Sequence, residues 1–160
     1  MNEIEKLQDH LLLIRRAAGW TAEELGDRIG VTRQTINNLE AKRNKLNKTQ
    51  YIAIRAVLDA EMAASPDDTE MLKYLLDVFI DNPDKYEAKD REELLAKANM
   101  LTPSILAGTT SRAAVSKELV GAAGALGIAA DFMAVHVISP ELAIAGGTSA
   151  WLFKALKDKK

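Results

Sequence analysis

Apolar residues recur every three or four positions along most of this chain, and nowhere do they alternate convincingly with polar ones. Leu7, Leu11, Ile14 and Ala18 make one helical stripe, stopped by Gly19. Ala22, Leu25 and Ile29 make a second that ends at Gly30, and Ile36 with Leu39 make a third. Tyr51, Ile54, Val57 and Leu58 mark a fourth. A repeat near 3.6 without a repeat of two predicts an all-α chain.

Polar punctuation supports the same helices. Thr21 with Glu24 has the spacing of a capping box, Thr32 is placed to cap the third helix, and Asn47 with Gln50 opens the fourth. Gly30 suits a left-handed C-cap. The chain's four prolines follow Ser65, Asn82, Thr102 and Ser139, which predicts helix starts at about 66, 83, 103 and 140. Three regions result: 1–64 with short helices, 65–118 acidic and amphipathic, and 119–160 rich in Gly and Ala with a basic end.

Composition adds exclusions. The net charge is only −2, yet residues 28–48 hold six bases (Arg28, Arg33, Lys42, Arg43, Lys45, Lys48) against one acid, Glu40, a local +5. The absence of cysteine rules out disulfides and thiolate zinc sites. Two distant histidines give no metal site, and Gly147-Thr148-Ser149-Ala150 lacks the second glycine of a nucleophile elbow. The expectation is a non-enzyme without cofactor or metal. MNEIEKLQDHLLLIRR lacks the order of a secretory peptide, so a cytoplasmic location is expected.

Two short helices joined by a Gly-containing turn, with apolar contacts at Leu25, Ile29, Val31, Ile36 and Leu39, fit a helix-turn-helix. Gly26 leaves room where the helices cross, although glycine costs about 1 kcal/mol against alanine inside a helix. The stretch TAEELGDRIGVTRQTINNLE resembles the phage repressor/Cro-like (Xre-type) helix-turn-helix family, over roughly residues 7–62. The resemblance implies a five-helix DNA-binding domain whose third helix enters the major groove of double-stranded DNA, usually from a homodimer. By position it turns Arg33, Gln34, Thr35, Asn37 and Asn38 toward the bases.

The residue chemistry agrees. Gln and Asn bond bidentately to adenine, Arg to guanine, and a Thr methyl touches thymine. Lys42, Arg43, Lys45 and Lys48 follow that helix as phosphate contacts, with Thr21 and Thr32 at two helix starts. Ala22 departs from the family, which often has a polar, phosphate-contacting residue there. Backbone amides and Thr21 remain as donors at that helix start.

In the second region Met71, Leu72, Leu75, Leu76, Phe79 and Ile80 form a broad apolar face, extended by Tyr86, Leu94, Leu95, Ala98 and Leu101. A face so wide must be buried. A dimerising helical pair is the economical reading, and packing within the chain is the alternative. In the third region, residues 119–153 carry only two charges, Asp131 and Glu141, and Leu119–Ile138 is long enough to span a hydrocarbon core of roughly 30 Å. Trp151 and the basic end KALKDKK would then anchor at the interface. Asp131 and the shortness of the second apolar run oppose insertion, so a soluble Gly/Ala-packed hairpin and a membrane hairpin or single span both stay open. His136 reads as a partnered packing residue.

The sequence therefore predicts a DNA-binding transcriptional regulator, a repressor where its site overlaps a promoter. Two alternatives are an antitoxin-type autoregulator whose C-terminal helices bind a protein partner, and a regulator tethered to a membrane through residues 119–153.

Overall fold

The computed structural model describes residues 1–125 and 150–158, and every regular element among them is helical. Five helices fill the first region: α1 (Glu3–Asp9), α2 (Leu11–Ala18), α3 (Ala22–Ile29), α4 (Arg33–Glu40) and α5 (Lys48–Ala64). The second holds α6 (Glu70–Leu76), continued by a π-helical turn (Asp77–Asp81) and a 3₁₀ turn (Pro83–Lys85), then α7 (Ala88–Leu101) and α8 (Pro103–Leu106). α9 (Arg112–Ala125) and α10 (Ala150–Lys157) follow.

The single stripe expected from Leu7 to Ala18 is divided. His10 closes α1 and opens α2 at φ −113°, ψ 12°, with its half-buried imidazole 4.9 Å from the Phe79 ring. The bend lets α1 lie on the π-helical turn while Leu7 and Leu11 both stay buried. Among the five helices of this region, the helix expected as third is therefore the fourth, α4.

The prolines behave differently from the capping expectation. Pro66 is followed by turn, and α6 begins only at Glu70, where Thr69 donates its hydroxyl to the Ser65 carbonyl at 2.7 Å. Pro83 starts the 3₁₀ turn and Pro103 starts α8, but neither Asn82 nor Thr102 caps with its side chain. Asn82 donates to Asp77 and Thr102 to the Ala98 carbonyl instead. Ser139-Pro140, Asp131 and His136 lie outside the described residues.

One core runs through the first two regions and both ends of the third. Met71, Leu72, Leu75, Leu76, Phe79, Ile80, Tyr86, Leu94 and Ala98 are all buried within the chain, so the face assigned to a dimer partner is spent internally. The reason is visible in the packing: α6 lies between α2 and α9, and α9 covers α7. Arg112 ties the regions together, donating to the Ala18 carbonyl at 2.8 Å, to Glu61 at 2.6 Å and to Asp68 at 3.0 Å. Arg55 does likewise, bonding both oxygens of Asp81 at 2.8 and 2.9 Å.

Leu119, Ala123 and Trp151, read from sequence as part of an apolar hairpin, are buried in this same core. Trp151 is no interface anchor: its indole N–H donates to Asp59 at 2.6 Å and its ring meets Tyr51 edge-on at 5.9 Å. Among the described residues no helix is long and apolar enough to cross a membrane.

Candidate nucleic-acid interface

The site is built from two local decisions. α3 starts where the Thr21 hydroxyl accepts the Glu24 amide at 3.1 Å, and it ends at Gly30, whose φ of 79° is left-handed. The expected capping box is only half formed, because Glu24 bonds the Thr21 hydroxyl rather than its backbone. α4 then starts where the Thr32 hydroxyl accepts the Thr35 amide at 3.2 Å. Between them, Gly26 passes so close to the turn that an added Cβ would stand 2.6 Å from the Val31 carbonyl oxygen. A distance that short leaves no room for any side chain, which fixes the angle between α3 and α4.

α4 is amphipathic in the required sense. Ile36 is fully buried and Leu39 is 1% exposed, whereas Arg33 and Gln34 are exposed and Thr35, Asn37 and Asn38 half-buried. Gln34 donates to the Asn38 amide oxygen at 3.1 Å, which also receives the Arg43 guanidinium at 3.3 Å. Two of the residues assigned to bases and one assigned to phosphate thus form a single hydrogen-bonded row along one edge of the helix. Pre-ordered amides lose less freedom on binding than loose ones.

The remaining bases divide. Lys45 is exposed, but Lys42, in the left-handed region at φ 57°, is ion-paired with Asp9. Lys48 donates to the carbonyl of Asp158 at 3.0 Å. Arg28 lies over the Trp20 ring, 4.2 Å from its centroid. The +5 of the linear sequence is therefore reduced in space, with Arg33, Arg43 and Lys45 the cations most open to an anion. Thr21 and Thr32 are occupied as helix caps, each still exposed.

Two residues that sequence reasoning passed over hold the site in place. Gln8 on α1 donates to the carbonyls of Leu39 at 2.9 Å and Asn44 at 2.7 Å, and accepts the Leu46 amide at 3.0 Å, clamping the basic loop after α4. Arg15 on α2 holds Glu40 at the end of α4. A signal existed for Arg15: it falls four residues after Leu11 and three before Ala18, on the buried stripe. A charge there demands a partner. Among the described residues no cluster of His, Cys, Asp or Glu is placed to hold a metal ion.

A buried frame, a tight glycine crossing and an exposed polar helix followed by a basic loop define a helix-turn-helix DNA-binding regulator. The comparisons agree: a helix-turn-helix family model matches residues 11–63, the span from α2 to the end of α5. The chain is also similar to Antitoxin HipB of Escherichia coli (strain K12), 32% identical over 71 residues that cover 41% of this chain and 81% of that protein. The chain belongs to the repressor/Cro-like (Xre-type) helix-turn-helix family. No solved structure matches it significantly.

Proposed function

We propose that the chain is a transcriptional repressor acting in the cytoplasm, one half of a homodimer that lays α4 in the major groove of double-stranded DNA. Residues 1–64 read the site and residues 65–118 brace that reader. Arg33, Gln34, Thr35, Asn37 and Asn38 contact bases, while Thr21, Thr32, Arg43 and Lys45 contact phosphates; Lys42 and Lys48 join them when released from their present partners. The observation that carries this reading is the exposed Arg33-Gln34 edge of a helix whose opposite face, Ile36 and Leu39, is locked in the core. Selection from a random pool of duplexes tests it. The expected outcome is a two-fold symmetric pair of half-sites about one helical turn apart; a pool that stays featureless contradicts it.

A second reading is favoured by the similarity to a protein named as an antitoxin. In it the same domain represses its own promoter while the C-terminal helices neutralise a toxin. Co-expression with the product of the adjacent reading frame tests this: rescue of growth and a stable complex support it, and growth arrest unaffected by the chain excludes it.

A further inference from the structure

The C-terminal helix ends against the basic loop. α10 is fastened to α5 by Trp151, which is buried, meets the Tyr51 ring edge-on and donates to Asp59 at 2.6 Å. The Trp151 ring centroid also lies 5.1 Å from the Arg55 guanidinium carbon. A second fastening is the ion pair of Lys154 with Glu3 on α1. Both contacts precede the carboxyl end of the helix, where the Lys48 ammonium donates to the Asp158 carbonyl at 3.0 Å.

Lys48 is the first residue of α5, directly after the loop that Gln8 clamps to α4. Carbonyls at the end of a helix lack partners within it and carry its negative partial charge. Lys48 takes up one of them at Asp158, the residue that follows the last of α10. The exposed Asp158 side chain adds a formal negative charge to the same end. A cleft of about 970 Å³ has Lys45 and Lys48 on one wall and Lys154 and Asp158 on the other. Lys154 is no free cation there. Its bond to Glu3 raises its pKa, burial opposes the rise, and the charges of Glu3 and Asp158 add to it. A lysine assigned to phosphate thus already faces the negative end of a helix.

We propose that docked α10 is an autoinhibitory contact: its carboxyl end occupies Lys48 in place of a DNA phosphate, so docking and DNA binding compete for that residue. This rests on the DNA-binding reading above. The contact is reversible by construction. α10 has only eight residues, Trp151 is its one buried side chain, and Phe153 and Leu156 stay exposed. A helix so short is marginal without its packing. A neutral carbonyl also accepts a weaker bond from an ammonium than a charged phosphate oxygen does, so DNA can displace it. Phosphate contacts carry no base information, so docking lowers affinity for every sequence and leaves base preference intact.

The test compares the full-length chain with its Trp151→Ala, Lys48→Ala and doubly substituted forms on one selected and one unrelated duplex, across a salt series. Trp151→Ala is expected to bind both duplexes more tightly at low salt. Its plot of log affinity against log salt should steepen by up to about 0.9, the counterion release of one added phosphate contact. In the Lys48→Ala background, Trp151→Ala should change neither affinity nor slope, because the competed residue is gone. Trp151→Phe, which keeps an aromatic ring and loses the Asp59 bond, serves if the alanine form does not fold. An unchanged or flatter slope in Trp151→Ala, weaker binding by it, or a gain that persists without Lys48 overturns the proposal while leaving recognition by α4 standing. Failure of both the wild-type chain and Trp151→Ala to bind any duplex removes the DNA-binding reading itself.

Discussion

Arg15 of α2 closes on Glu40 of α4 through two parallel bonds, Nε to Oε1 at 2.5 Å and Nη2 to Oε2 at 3.1 Å, while its Nη1 donates to the Trp20 carbonyl at 2.9 Å. Both side chains are at most 10% exposed, so water screens the pair little. The C-terminal end of α4 is thus pinned from the core side by a bidentate charge pair, and its N-terminal end by the glycine crossing. Removing one partner of such a pair leaves a buried charge. Glu40→Ala is therefore expected to cost about 3 kcal/mol in urea denaturation. A loss below about 0.5 kcal/mol, the scale of an ordinary surface substitution, would show that the pair does not hold the helix.

Two glycines give opposite expectations. An alanine at Gly26 meets backbone, the Val31 oxygen at 2.6 Å, so the turn itself must move. Overpacking of this kind costs about 1–3 kcal/mol, and DNA affinity should fall with it because α4 is displaced. An alanine at Gly121 in α9 meets nothing within 4 Å and should stabilise by about 0.5–1 kcal/mol through helix propensity. Thermal melts of the two variants check both signs.

The legible parts of this fold were those decided within a few residues. Thr32, Gly26, Gly30 and the Asn47/Gln50 box carry their reasons locally, and Ile36 and Leu39 face inward because the helical period leaves them no other side. What was not legible depends on residues far apart in the chain. The π-helical turn at Asp77–Asp81 meets α1, and Lys48 meets Asp158, 110 positions away. The width of the face around Leu72 and Leu75 showed that it is buried. The choice between a second copy and α9 depended on where α9 travels. The unexpected break at His10 has the same origin, since its imidazole rests on Phe79.

Asp9 restrains Lys42, which sequence alone placed on phosphate. Asp9→Asn frees that ammonium and removes a negative charge close to the basic loop. DNA affinity at low salt should rise, and the salt slope should steepen by up to about one unit. Arg43→Ala should flatten the slope by a similar amount. Fluorescence anisotropy titrations over a salt series measure both; a slope unmoved by Asp9→Asn means that Lys42 makes no phosphate contact even when released.

His10 supplies a pH dependence. Burial is the main cause that lowers its pKa; the Asp9 charge opposes this and the Lys42 charge adds to it. A folded-state pKa below the unfolded value means that the unfolded chain takes up the proton first. The stability that neutral His10 contributes is therefore present above the ordinary value near 6.5 and is lost as pH falls through and below it. Wild-type protein should be less stable at pH 5 than at pH 7, and His10→Gln should reduce that difference. Denaturant midpoints at the two pH values, unaltered in their difference by the substitution, would assign the acid sensitivity to other groups.

If α4 reads bases through the Arg33-Gln34 edge, base preference depends on those two side chains. Sequence selection with the Arg33→Ala/Gln34→Ala form, beside wild type, is expected to return a featureless pool where wild type returns a defined site. Because both side chains are exposed, the helical circular dichroism and melting temperature should stay those of wild type. Recovery of the same site with the same discrimination by the substituted protein would mean that α4 does not read bases through this edge.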